Sequence, residues 1–443
     1  MSSHFGWHYK SIRFIAMLTF MAVCGFGSST AQTTEIPVPA QLFSMSMNAG
    51  VVSREPWPTV SFTGLRILEG GASWNDINTA HNVYNWSTLD LWLAAAAQHG
   101  DDVLYTFAET PKWASSKPGD TSCNFGPNSE GACDPPSDLN ADGSGADEIW
   151  KTFVTALVLH NKNSKTGHIK YWEMWNEPYN AWEFNGTYAQ MVRMARDARY
   201  VIKKWDPTAV VLTPTLNWNT QQELNWAAGY LAAGGGNFAD AIALHGYVFG
   251  AGQTDDPETI ATLLPPYKKV LSTYGQSSKQ IINTEACWGI TANWNYSNPD
   301  LQASFVARLY LLNAAYGISR LYWFEWNNTG AGTLWLQDSS DPSGAGTLLE
   351  SGLAYREVES WMTGKNISCS SSGSVWSCSL SGPNGYLSEA IWDTAETCSD
   401  GDCTTIEHAV APTYTKYQTL SGTSVNITGS TVPIGLKPIL VEN

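Results

Sequence analysis

Charge is scarce in this chain. Of its 443 residues only 14% are Asp, Glu, Lys or Arg, and 40 acidic side chains against 24 basic ones give a formal net charge of −16. No Lys/Arg cluster offsets that balance, which repels phosphate backbones and anionic membrane surfaces and makes nucleic acid an unexpected partner. Phosphate-cradling glycine loops are absent: neither G-x-G-x-x-G nor G-x-x-x-x-G-K-[ST] follows any strand-like run. H-E-x-x-H and clustered Cys/His spacing are missing too, so no metal or other cofactor is required. No G-x-S-x-G marks a serine nucleophile.

Long apolar runs are confined to the amino terminus. His4, His8, Lys10 and Arg13 make a weakly basic start, residues 14–27 are apolar but too few to span a bilayer, and Ser29-Thr30-Ala31 offers a cleavage site. Residues 1–31 therefore read as a secretory signal; the lipoprotein alternative suggested by Cys24 is poorly served by Val23 before it. The mature chain is expected to be secreted (extracellular or periplasmic), without membrane contact, and a monomer or weak oligomer. In an exported chain, the close pairs Cys123 with Cys133, Cys369 with Cys378 and Cys398 with Cys403 are expected to form disulfides, crossed pairing among the last four being the alternative. Cys287 is left over and reads as a buried free thiol. Sequons at Asn85, Asn185, Asn295, Asn327, Asn366 and Asn426 would carry glycans only in a host with that chemistry.

Aromatics, by contrast, are abundant. There are 21 Trp and 19 Tyr, and flat indole faces stack on the apolar C–H faces of sugar rings, so a neutral carbohydrate is the expected partner. The alternative is that these rings fill the core.

Eight short apolar runs, at 43–48, 64–68, 102–107, 169–175, 209–213, 241–247, 280–284 and 320–324, alternate with helical patterns at 87–99, 146–161, 187–204, 257–274 and 300–316. That alternation predicts a (β/α)8 barrel over 32–361. From 362 to 443 Ser, Thr, Gly and Cys dominate, helical periodicity disappears, and strand alternation at 386–392, 405–410, 424–428 and 437–442 predicts a small β-sandwich, to which residues 35–42 can add a strand.

A barrel carries its chemistry at the carboxyl ends of its strands. Those ends hold Asn48, Arg66 and Glu69, Glu109, Asn176 and Glu177, Asn217, His245 and Tyr247, Glu285, and Trp323 and Glu325. Glu177 ends the fourth strand and Glu285 the seventh, from which two side chains can converge across the mouth. Two carboxyls roughly 5 Å apart are what retaining glycoside hydrolysis needs, one as acid/base and one as nucleophile.

The same residues carry a family resemblance. WNEP at 175–178, HGY at 245–247, NTEACWG at 283–289 and YWFEW at 322–326, with ETPKWAS at 109–115, resemble the retaining glycoside hydrolases of clan A, among them family 39. Several of those families join a (β/α)8 barrel to a small β-sandwich. The resemblance implies Glu177 as acid/base, Glu285 as nucleophile, Asn176 on the sugar 2-hydroxyl, His245 and Tyr247 as the sixth-strand pair with the tyrosine holding the nucleophile, Arg66 keeping the nucleophile ionised, and Trp323 under the bound sugar. Arg66 would lower the pKa of Glu285, and the charge on Glu285 would raise that of Glu177. Glu325, Trp113, Trp182 and Trp288 are further candidates for binding sugar, with rim position or packing as their alternative. Glu173, four residues before Glu177, falls on the same strand face but deeper, where pairing with an internal Arg or Lys is expected. A catalytically silent carbohydrate-binding protein and a transglycosylase on the same scaffold are the competing readings.

Overall fold

A computed structural model describes residues 34–443 except 69, 124–128, 249–255, 289–297, 328–331, 338–343 and 400. The expected signal at 1–31, Glu69, Gly289 of the NTEACWG stretch and the Asn295 sequon lie outside the described residues.

Eight strands are laid down in chain order: β1 Phe43–Ser46, β2 Gly64–Ile67, β3 Asp102–Thr106, β4 Ile169–Glu173, β5 Val210–Leu212, β6 Ile242–His245, β7 Ile281–Ala286 and β8 Ile318–Trp323. Each pairs in parallel with its sequence neighbours, and β1 pairs with β8. The ring closes between β5 and β6 through parallel bridges from Leu212 to Ala241 and from Leu216 to Leu244. Sheet faces covered on both sides demand runs without polar alternation, which is why stretches such as VVL and IALH become strands.

Seven longer helices follow the strands: α1 Ser87–His99, α2 Glu148–Asn163, α3 Tyr188–Trp205, α4 Gln221–Ala232, α5 Ile260–Thr273, α6 Pro299–Ala315 and α7 Glu350–Met362. Five match the periodic stretches read from sequence. α3 starts at a capping box between Thr187 and Gln190 and stops at Asp206, before Pro207, whose ring disfavours a helical residue ahead of it. The helical reading had left out α4 and α7. A second capping box, Thr220 with Glu223, starts α4 and was the available signal.

α6 is buried on every side because it lies between the barrel, α7 and the carboxyl-terminal sheet. That sheet has seven antiparallel strands, with Ile36–Pro37 at one edge against Asn366–Ser372, so the segment ahead of β1 does join it. Thr405–Ala409 and Thr431–Gly435 form a separate pair. The three expected disulfides are formed, two of them directly across hairpins (Cys369 opposite Cys378, Cys398 opposite Cys403), while Cys287 lies outside these disulfides and is buried. A buried ion pair ties the two parts together: Arg308 of α6 bonds Glu258 at 2.8 Å, and the indole of Trp392 donates to the same carboxylate at 2.6 Å.

Candidate active site

Glu173, the last residue of β4, lies wholly inside the barrel. Its Oε2 accepts from Thr106 at 2.6 Å and from Arg66 Nε at 3.2 Å, and its Oε1 accepts from Thr284 at 2.8 Å and Thr215 at 3.0 Å. Every carboxylate lone pair facing the interior thus has a donor, as a buried anion needs. Arg66, inward-facing on β2, spreads upward from this base. Nη1 donates to Glu285 Oε2 at 2.6 Å, Nη2 to Asn176 Oδ1 at 2.9 Å, and Nη2 also faces His245 Nε2 at 3.2 Å. Burial opposes the guanidinium charge, but Glu173 and Glu285 outweigh it and raise the Arg66 pKa further.

Glu285 stands on β7, where its Oε1 accepts from the Tyr247 hydroxyl at 2.6 Å. Both of its oxygens therefore hold charge-assisted bonds. Beyond the end of β4 the chain turns sharply: Glu177 has φ of +34°, a region L-residues rarely occupy, and Pro178 follows. The turn sends the Glu177 carboxyl to His245 Nδ1 at 2.7 Å and to the Asn180 side chain at 3.0 Å. A carboxylate oxygen of Glu177, one of Glu285 and a ring nitrogen of His245 all lie within 4.8 Å of one another. Strand ends distant in sequence are thus brought to one point by barrel closure.

The electrostatics differ from expectation at Glu177. Burial pushes its carboxyl up, but the bond and charge of His245, the Tyr179 hydroxyl and the Arg66 charge together hold it below its ordinary value. Proximity to Glu285, the expected cause of a raised value, loses to these closer donors. His245 moves the other way: burial lowers it, yet Glu285 and Glu177 on its two sides raise it above an ordinary histidine.

The trio of Glu177, His245 and Glu285 has ligand spacing for a cation. Arg66 already sets a guanidinium against Glu285, which places positive charge where an ion would sit. The second such trio, Cys123, Cys133 and Asp134, has its sulfurs joined as a disulfide and offers no thiolate.

The remaining candidates scatter. Trp323 has no exposed surface; its ring is enclosed with Trp288 at 5.3 Å, Tyr310 at 6.3 Å and Phe305 at 6.5 Å, and its indole N–H bonds the Gly332 carbonyl. With no exposed surface, the ring is a packing element in this structure. Trp288 is nearly buried against it. Trp113 is half-buried, edge-on to His81, its indole donating to the Asn78 carbonyl at 2.7 Å. Trp182 is 40% exposed and presents a usable face. Glu325 lines a cleft of about 430 Å³ with Asn48, Arg54, Glu55, Asn327 and Trp335. Several contributors were not singled out from sequence. Thr106 and Thr215 belong to no motif, whereas Thr284 lies in NTEACWG beside Glu285, and Tyr179 and Glu183 follow Glu177 within six residues.

No family model matches the sequence, and no curated protein matches it. Solved structures do resemble it. A family 39 glycoside hydrolase from Bacteroides cellulosilyticus WH2 superposes with a TM-score of 0.64 at 17% identity, over 93% of this chain and 82% of the other. A monomeric beta-xylosidase from Caulobacter crescentus CB15 gives 0.65 at 12% identity, over 93% and 97%. An alpha-L-arabinofuranosidase from Thermotoga maritima gives 0.60 at 11% identity, over 93% and 98%. The likeness is one of fold, a (β/α)8 barrel followed by a β-sandwich, and it extends over nearly the whole described chain.

Proposed function

We propose that this chain is a retaining glycoside hydrolase that cleaves O-glycosidic bonds in a plant or microbial polysaccharide or oligosaccharide, with Glu285 as nucleophile and Glu177 as acid/base. The observation that carries this reading is the asymmetric treatment of two carboxyls within 4.8 Å. Glu285 is clamped by Arg66 and Tyr247 with a fixed direction of attack, while Glu177 is paired with a histidine able to hold a proton. A separation near 5 Å leaves no room for a water between carboxyl and sugar, and so favours double displacement.

In the first step Glu285 attacks the anomeric carbon, the glycosidic C–O bond breaks, and the leaving oxygen takes a proton from Glu177. His245 Nδ1, 2.7 Å from Glu177, is the group that can pass a proton to it before this step and take one back after the second. In the second step Glu177 removes a proton from water, which attacks the glycosyl ester and frees Glu285. Asn176, with its Oδ1 turned to Arg66, keeps an amide N–H for a sugar hydroxyl. The solved structures named as a beta-xylosidase and an alpha-L-arabinofuranosidase support a neutral glycoside as substrate. Three disulfides support export.

Replacing Glu285 by Gln is expected to abolish turnover of an activated aryl glycoside with the fold intact; surviving activity would refute the nucleophile. NMR of the first-formed product should show the anomeric configuration of the substrate, and an inverted product would sink the paired-carboxylate reading.

A further inference from the structure

Six residues past Glu177, on the same loop, lies a third carboxyl that the mechanism does not use. Glu183 is 4% exposed. Its backbone is pinned at both ends: the N–H bonds the Asn180 carbonyl at 2.9 Å, and the carbonyl accepts from the indole of Trp175 at 3.0 Å. The side chain meets the amide of Asn176, and its other charged neighbours are Glu177, Glu285 and Glu109. Its Oε2 is buried and, among the described residues, has no hydrogen-bond partner.

An ionised carboxylate in that position would carry a bare oxygen out of water, among three carboxyl groups and with no cation among the groups that act on it most strongly. Unpaired buried charge of this kind is costly enough that the group neutralises instead. Burial first, then the charge of Glu177, hold the Glu183 carboxyl well above its ordinary range; the hydrogen bond from Asn176 pulls the other way, and the charges of Glu285 and Glu109 add to the rise.

We propose that Glu183 is a neutral carboxylic acid that positions the Asn176 amide beside Glu177 and keeps a third negative charge out of the site. It rests on the glycosidase reading and deepens it. Asn176 is then held from two sides: Oδ1 accepts from Arg66 at 2.9 Å, which turns the NH2 toward Glu183. One amide hydrogen goes to Glu183, leaving the second directed at substrate. Glu183 touches no reacting atom, so its role is to position.

Glu183→Gln, neutral and of the same shape, is compared with Glu183→Ala, alongside infrared difference spectra of the resting enzyme at pH 7. The Gln variant should turn over an aryl glycoside close to the wild-type rate. The Ala variant, with Asn176 released, should lose roughly 10- to 100-fold, in kcat more than in KM. Wild type minus Glu183→Gln should show the carbonyl stretch of a protonated carboxyl. Gln as damaging as Ala, no loss in either variant, or a missing protonated band would each overturn the proposal. The spectrum needs no turnover, so it stays informative if the Ala variant fails to fold. It also separates the two readings: a protonated band in a protein whose Glu177→Gln and Glu285→Gln variants remain active would refute the glycosidase assignment and leave the neutral Glu183 standing.

Discussion

Two arginines are buried in the barrel, one at each end, and they are treated differently. Arg320, near the amino-terminal end of β8, pairs with one carboxylate, Asp102, through Nη1 at 2.5 Å and Nη2 at 3.2 Å. Its guanidinium lies 4.6 Å from the Tyr171 ring centroid and bonds the Tyr322 hydroxyl at 2.8 Å. Asp102 also pairs with Lys170 at 3.3 Å, so the carboxylate there is fully matched by cations, and aromatic rings flank the guanidinium. Arg66, at the mouth, meets Glu173 and Glu285 together with Asn176 and His245. With Glu177 and a neutral Glu183 beside them, acidic groups exceed cations at the mouth. A stability device can be neutral and closed, whereas a reactive site keeps uncompensated charge that substrate and proton movements resolve.

The strongest way to break the comparison is to remove each cation in turn. Arg66→Met leaves two carboxylates unpaired in the interior and should cost about 3–5 kcal/mol of stability. Turnover should fall at least ~10³-fold, because Glu285 loses its charge partner. Arg320→Met should cost a similar ~3–5 kcal/mol in denaturant unfolding, yet leave activity per folded molecule unchanged. A large loss of kcat in the Arg320 variant would erase the distinction between the two ends.

Tyr247→Phe tests the mouth alone. It deletes one hydrogen bond to a charged oxygen, worth about 1.5–3 kcal/mol, and should lower kcat/KM roughly 10- to 100-fold with a small drop in melting temperature.

Asp147 sharpens the comparison with a buried acid outside the barrel. Both of its oxygens are buried, and burial together with the neighbouring Asp197 pushes its pKa up to about 8. A carboxyl raised above its unfolded value binds its proton more tightly when folded. Its contribution is complete below pH about 4 and is lost as pH rises through about 8. Asp147→Asn should therefore flatten the decline of stability with pH and gain on the order of 1–2 kcal/mol at pH 8, read by chemical unfolding at pH 5 and pH 8.

The smallest effect concerns His245 and Glu177. The lowered Glu177 contributes stability above its unfolded pKa of about 4.3 and loses it as pH falls through its folded value; the raised His245 contributes below about 6.5 and loses it as pH rises through its own. His245→Asn should thus lose most stability between about pH 4.3 and 6.5, by roughly 1–2 kcal/mol, relative to wild type at pH 9.

What the sequence determined by itself is what short-range physics encodes. Eight apolar runs without alternation read as doubly covered strands, the periodic stretches between them as helices, and close Cys spacing pointed to three sulfur pairs while leaving crossed pairing among the last four open. Strand-end position set Arg66, Glu177, His245, Tyr247 and Glu285 among a longer rim of candidates, because a barrel presents one end of every strand to one cleft, and the motif resemblance narrowed that rim. The helices α4 and α7 were passed over although α4 carries a capping box, and the hairpin from Asn366 to Ser381 was masked by its Ser-rich composition, since packing rather than propensity makes those residues strands. Only the tertiary structure decided the rest. The direction of the Glu177 shift, the enclosure of Trp323 and the bare oxygen of Glu183 depend on which groups lie within a few ångströms across different strands and loops, and Coulomb and hydrogen-bond energies fall off over that distance, not over sequence separation.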